Sequence, residues 1–231
     1  MASYDIVLLL LGPTRSGKTT FVTSLAARPK DGKMQNGSTV ECKDYETTVS
    51  GKDFLIIDTP GLDDSPAGNL EVLGKIAVKL RSSPHVNAVI YFHRITTTRL
   101  TGSARSNIDL FLQICGKVFL GQTAFVTTMW NNISTRERTR FDHLNEELRG
   151  KILSQTQNLT HFFEFDSNNR GSAVAVLKHF AESKKLAIRP QRLALARELD
   201  EFGSATPSNV RRTTAGKQVV KDMNRGFCLI F

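Results

Sequence analysis

The residues with the most chemistry at a fixed spacing are Gly12-Pro-Thr-Arg-Ser-Gly17-Lys18-Thr19, a G-x-x-x-x-G-K-[ST] pattern set between an apolar run and a segment of helical period. Gly12 and Gly17 let the backbone curl, so that successive N–H groups from Arg15, Ser16, Gly17 and Thr20 point inward at phosphate oxygens, and a helix start adds partial positive charge. In that arrangement Lys18 reaches the β- and γ-phosphates as a point charge, and the Thr19 hydroxyl is a ligand of Mg²⁺. Further along, Phe54-Leu-Ile-Ile-Asp58-Thr-Pro-Gly61 is an apolar strand that ends in a carboxylate, with a glycine three residues on. Asp58 at the strand tip can hold the Mg²⁺ shell. Gly61 can bring a backbone N–H to the γ-phosphate.

The D-x-x-G element beside the phosphate cradle resembles that of the GTPases, over roughly residues 5–180. Within that span the segments Asp58 to Gly61, Tyr91 to Ile95 and Thr127 to Trp130 are similar to those of the septins, the immunity-associated (AIG-type) GTPases and related fungal G-domain proteins. The resemblance implies a three-layer α/β P-loop G domain, with a mostly parallel central sheet and one antiparallel edge strand. It also implies GTP as ligand, Mg²⁺ as cofactor, and a homodimer or GTP-dependent homo-oligomer.

Several positions depart from that pattern. Many GTPases place glutamine after D-x-x-G to orient water, and this chain has Leu62, whose aliphatic side chain cannot. Arg94 stands where the immunity-associated GTPases have an arginine that acts across a nucleotide-facing dimer; it is either that residue or a surface arginine. Aligned on the base-reading N-K-x-D motif, Thr128-Met129-Trp130-Asn131 puts Asn131 in place of aspartate. An amide there mismatches one guanine N–H, at a cost of about 1–3 kcal/mol. Trp130 either stacks near the base or packs in the core. Ser167 and Asn168 occupy the place of the loop under the base. In the polar segment from Pro29 to Ser50, Thr39 is the expected switch hydroxyl, with Thr47 and Thr48 as competitors that fall in a strand.

The elements that must carry these residues follow from periodicity. Apolar runs at Ile6–Leu11, Phe54–Ile57, Ala88–Phe92, Ala124–Thr128 and Phe162–Phe165 alternate with helical stripes, the rhythm of a parallel sheet with crossover helices. The stripes are Leu73, Ile76, Ala77, Leu80; then Ile108, Phe111, Leu112, Cys115; then Phe141, Leu144, Leu148, Ile152. Ser134 and Glu137 have capping-box spacing, which predicts a helix start. Tyr45 to Ser50, with Gly51-Lys52, predicts a hairpin onto Phe54–Ile57. The predicted G domain spans 1–180. After Pro190, Leu195, Leu199 and Phe202 predict one amphipathic helix within 181–202, and 203–231 reads as a basic flexible tail.

With 40% apolar residues in 231, the chain can fill a sizeable core, and its longest apolar run is far short of the roughly 20 residues that span a bilayer. Three cysteines without metal-ligand spacing fit a reducing, cytoplasmic setting. The net charge of +9 is enriched at Arg211, Arg212, Lys217, Lys221 and Arg225, which points to the tail and not to a nucleic-acid face. Cys228-Leu-Ile-Phe231 fits C-a-a-X, with terminal Phe favouring geranylgeranyl. One lipid plus a basic cluster would hold the protein at the cytosolic face of a membrane. The sequence therefore predicts a membrane-associated, Mg²⁺-dependent GTPase of low intrinsic rate; the alternative is a GTP-binding scaffold or switch without meaningful turnover. An ATP-using enzyme fits less well, because no phosphoacceptor site is evident.

Overall fold

The computed structural model describes residues 4–33, 39–62, 66–82, 85–96, 102–156, 160–182 and 192–227, apart from the side chains of 66, 67 and 225–227. Pro190 and Cys228, with the rest of the C-a-a-X box, lie outside the described residues. Seven strands form one sheet: β1 (Ile6–Leu11), β2 (Arg28–Pro29), β3 (Lys43–Val49), β4 (Lys52–Asp58), β5 (Ala88–Arg94), β6 (Thr123–Thr128) and β7 (His161–Glu164). Their order is β2-β3-β4-β1-β5-β6-β7. The run from β4 to β7 is parallel, and β3 pairs antiparallel with β4. The edge carries one more antiparallel pairing than the single edge strand expected, because Arg28 and Pro29 pair with β3. The β3–β4 hairpin turns through Ser50 (φ 52°) and Gly51 (φ 72°), both left-handed, as a two-residue hairpin turn requires.

Helices cover both faces of the sheet, which is why its central strands are apolar throughout and do not alternate. On one face α1 (Lys18–Ser24) and α5 (Arg170–Glu182) pack over Leu8, Leu10, Ile90, Phe92 and Val126. On the other, α2 (Pro66–Ser82), α3 (Gly102–Cys115), α4 (Thr135–Gln155) and α6 (Ala194–Glu201) pack over Leu9, Leu11, Val89, Tyr91 and Phe125. The stripe predicted from Leu73 to Leu80 is fully buried. So is most of the stripe on α3. Helix α4 begins as its capping box predicts, with the Glu137 carboxylate accepting from the Ser134 amide at 3.4 Å and from the Ser134 hydroxyl at 2.6 Å.

The expectation of a flexible segment after residue 202 is overturned. Two further helices, α7 (Pro207–Arg212) and α8 (Thr214–Phe227), pack on α2 and α3. Val210, Ala215 and Val219 are buried in the same core as β1 and β5. Composition missed them because the buried side is built from small residues, with Thr213 also inside. Local signals did exist: Thr206 caps α7, its hydroxyl accepting from the Asn209 amide, and Pro207 occupies the first turn. Asp222 accepts a hydrogen bond from Ser106 on α3. Arg211, Arg212, Lys217 and Lys221 remain outside, with Arg212 lying over the Phe202 ring at 4.4 Å. Among the described residues no helix is long and apolar enough to cross a membrane.

Candidate functional site

The C-terminal ends of β1, β4, β5 and β6 deliver four loops to one edge of the sheet, where open α/β sheets bind ligands. A cavity of about 520 Å³ opens there, lined by the loop from Thr14 to Thr20 and by Thr39, Gly61, Lys75 and Met129 among others. The loop leaving β1 is held tightly. Gly12 has φ 143°, and a Cβ on it would come within 2.5 Å of the Phe92 carbonyl oxygen, so no other residue fits against β5 there. The Thr128 hydroxyl donates to the Ser16 carbonyl at 2.9 Å, bracing the loop from β6.

Lys18 is buried, 5% exposed, and its Nζ donates to the carbonyl oxygens of Gly12 at 3.0 Å and Pro13 at 3.1 Å. Burial lowers its pKa to about 8, with the nearby Asp58 charge pulling the other way. Asp58 is fully buried at the tip of β4, and burial holds its carboxyl above the usual range against the opposing pull of the Thr19 hydroxyl, Lys18 and Thr39. Its Oδ2 accepts from the Thr19 hydroxyl at 2.7 Å and from the Thr39 hydroxyl at 3.0 Å. The two hydroxyls lie 3.1 Å apart.

Thr39 thus joins Thr19 and Asp58 although it is 19 residues from Asp58 in the chain. Thr47 and Thr48, its competitors in the sequence, lie on β3. The segment after Thr39 is fastened to α2: Lys75 donates to the Val40 carbonyl at 3.1 Å and pairs with Glu41 at 3.4 Å, while Lys79 pairs with Asp44 at 2.7 Å.

The donor set fits Mg²⁺. Three oxygens of two hydroxyls and a carboxylate converge beside the cavity, hard ligands of the kind that ion takes. The other Asp58 oxygen, Oδ1, is buried with no hydrogen-bond partner, and the Ser16 hydroxyl is likewise unpartnered. An orphaned carboxylate oxygen is costly unless a cation or water meets it.

Other expected site residues lie elsewhere. Leu62 is 1% exposed, with its side chain in the core. Its backbone ties the loops after β1 and β4 together, donating to the Gly12 carbonyl and accepting from the Thr14 amide, both at 3.0 Å. Gly61 lines the cavity and backs directly onto Thr14. Trp130 does not line the cavity. It packs with Ile95 and Phe141, donates its indole N–H to the Thr127 hydroxyl at 3.1 Å and lies under Arg138. Of the two roles left open for it, the structure selects the core aromatic. Asn131 is exposed in the next turn, outside the lining. Asn168 donates its amide to Asp166 in a turn beyond β7, also outside it.

Arg94 is half-buried at the end of β5, opposite Thr128, and does not line the cavity. His93 beside it is buried, which lowers its pKa to about 4 and keeps it neutral. The residue that sequence reasoning passed over is Met129. Its left-handed backbone, φ 68°, turns it into the cavity at the position aligned with the lysine of N-K-x-D, and that alignment was the available signal.

A sequence model described as the AIG1 family matches residues 6–182. Among solved structures, the chain is similar to Toc33 from Arabidopsis thaliana in complex with GDP and Mg²⁺, with a TM-score of 0.64 at 17% identity over 81% of this chain and 87% of that one. A dimerization-deficient mutant of Toc33 matches with a TM-score of 0.62, 17% identity and the same 81% and 87% coverage. Toc33 in complex with Mg²⁺ and GMPPNP matches with a TM-score of 0.57 at 18% identity, over 78% of this chain and 85% of that one. At these identities the likeness is one of fold. No curated protein matches the sequence.

Proposed function

The chain belongs to the AIG1 family, and from that premise we propose that it binds GTP with Mg²⁺ and hydrolyses it slowly to GDP and phosphate, faster when two copies meet across the nucleotide face. The observation that carries the reading is the convergence of Thr19 and Thr39 on Asp58, whose second oxygen is orphaned beside buried Lys18. Thr19, Thr39 and Asp58 would hold Mg²⁺, which when bound neutralises charge on the β- and γ-phosphates. Lys18 carries the fixed positive charge of the cradle. Backbone N–H groups of the loop orient the phosphates, and Thr39, hydrogen-bonded to Asp58, presents its hydroxyl at the same point. The structures of Toc33 with GDP and Mg²⁺, and the existence of a Toc33 mutant named for lost dimerization, support nucleotide, metal and pairing by analogy of fold.

Calorimetric titration with GTP, ATP and XTP, with and without Mg²⁺, tests the binding step. We expect heat with GTP that depends on Mg²⁺; silence with all three nucleotides removes the proposal. Preference for XTP would assign the altered base motif around Asn131 a different partner. Leu62 favours a second reading, a GTP-dependent scaffold, because its side chain is packed where many GTPases orient water. Turnover per molecule that stays near zero at every protein concentration would select it.

We further propose that the α7–α8 face, with Arg211, Arg212, Lys217 and Lys221 outward, rests on an anionic membrane while a prenyl group on Cys228 anchors it. Basic residues near such a surface contribute about 1 kcal/mol each. Protein from a eukaryotic host should carry the lipid mass at Cys228 and sediment with phosphatidylserine vesicles. Unmodified Cys228, or undiminished sedimentation with phosphatidylserine vesicles after reversal of the four charges, would count against it.

A further inference from the structure

We propose that Arg15, from within the phosphate loop of the same chain, supplies the guanidinium that stabilises the transition state of hydrolysis. The inference rests on the GTPase reading above and assigns a charge that the chain brings to its own cavity.

Four non-glycine residues among those described have positive φ, and two of them, Arg15 (φ 61°) and Met129 (φ 68°), line the cavity. A bulky residue in the left-handed region is strained, and such outliers gather where function holds them. Arg15 is braced on both sides. The Ser16 amide donates to the Pro13 carbonyl at 3.2 Å across it, and the Ser16 carbonyl is fixed by the Thr128 hydroxyl. The strain is therefore built into a rigid turn.

The side chain is exposed at the cavity and makes no hydrogen bond or ion pair among the described residues. A cation without a partner, on a fixed backbone three positions before Lys18, is available to a polyanion. Lys18, by contrast, sits in the loop floor, donating to two carbonyl oxygens. Leu62 is packed into the core, and Arg94 lies outside the lining.

In the step itself, the oxygen of water forms a bond to the γ-phosphorus. The bond from that phosphorus to the β–γ bridging oxygen breaks, and its electron pair stays on that oxygen in GDP. The water proton leaves with inorganic phosphate or to solvent. Negative charge grows on the bridging oxygen as the bond breaks, and the planar guanidinium of Arg15 donates N–H groups to it and to the γ-oxygens. Arginines acting at this charge accelerate hydrolysis by about 10³ to 10⁵.

The test is single-turnover GTP hydrolysis by the full chain and its Arg15→Gly, Arg15→Ala and Arg15→Lys variants, with GTP and GDP affinities measured in parallel. Arg15→Gly is decisive because glycine adopts φ 61° freely, so a loss there belongs to the guanidinium and not to the backbone. We expect its single-turnover rate to fall about 10³-fold with GDP affinity within a few-fold of the parent, and Arg15→Lys to recover only a small part. Excess Lys18→Ala chain, which keeps Arg15, should not restore the rate.

Unchanged hydrolysis in Arg15→Gly overturns the proposal. So does rescue by the Lys18→Ala chain, which would make the arginine a partner's. A parent chain that binds GTP yet never hydrolyses it also overturns the proposal while leaving nucleotide binding intact. A parent chain that binds no GTP removes the GTPase reading as well.

Discussion

Replacing Lys18 with alanine should abolish nucleotide-dependent stabilisation while leaving the free protein at least as stable as the parent. The two effects have one cause. Burial lowers the Lys18 pKa to about 8, so the ammonium at neutral pH is held in the fold at a cost of about 3 kcal/mol relative to an exposed lysine. Its bonds to the Gly12 and Pro13 carbonyls offset that only in part. A triphosphate reverses the balance, since the charge then has a partner. Losing one partner of a buried charged pair costs about 2–5 kcal/mol, so affinity for Mg²⁺–GTP should drop at least about 30-fold. Thermal unfolding with and without ligand reads both effects. A parent-like upward shift with GTP in Lys18→Ala would refute the assignment.

The sign of the pH dependence follows from the same group. A lysine whose pKa is lower folded than unfolded makes the fold less stable while charged, and that penalty is relieved as pH rises from about 8 toward the unfolded value. The free protein should therefore gain stability across that window as far as this group is concerned. Nucleotide affinity should run the other way and weaken above pH 8, because the free site loses the proton that phosphate needs. Binding near pH 8 to 9 should take up a proton, measurable as a difference in calorimetric heat between buffers of unlike ionisation enthalpy. Proton release instead would contradict the geometry.

The second large effect is expected at Gly216, far from any phosphate. A Cβ on this residue would sit 1.9 Å from the Val210 carbonyl oxygen and 2.8 Å from the Arg211 Cα, both backbone atoms that cannot swing away. Gly216→Ala should therefore push α8 off α7. Overpacking of this kind costs about 1–3 kcal/mol, which for a chain of this size lowers the melting temperature by several degrees. Because Val210, Ala215 and Val219 belong to the main core, proteolysis should begin in the C-terminal helices before the sheet opens. An unchanged melting temperature and an unchanged protease pattern would show that the α7–α8 contact is dispensable.

The parallel strands and their crossover helices were legible because continuous apolar runs and 3.6-residue stripes are local patterns, and each fell close to the element it predicted. The candidate site was legible for a similar reason: Gly12, Lys18, Thr19, Asp58 and Gly61 sit at short fixed spacings within two strand-loop units. The C-terminal helices escaped notice because close packing of Gly216, Ala215 and Val219 depends on shape, not on average hydrophobicity. Trp130 and Asn131 were harder still. Met129, left-handed in its backbone, is the residue of that loop that lines the cavity, and spacing alone carries no such direction.

By itself the sequence determined that a G-x-x-x-x-G-K-[ST] loop follows the first strand and that a carboxylate waits at the tip of another, because covalent order sets both. Only the tertiary structure decided that Thr39 completes the oxygen cluster, that Arg15 lines the cavity while Arg94 stands apart, and that the basic C-terminal helices dock on α2 and α3. These outcomes depend on which surfaces fit together once the sheet has formed. Contacts between segments far apart in the chain are chosen by packing and by the need to satisfy buried polar atoms, and neither leaves a periodic trace along it.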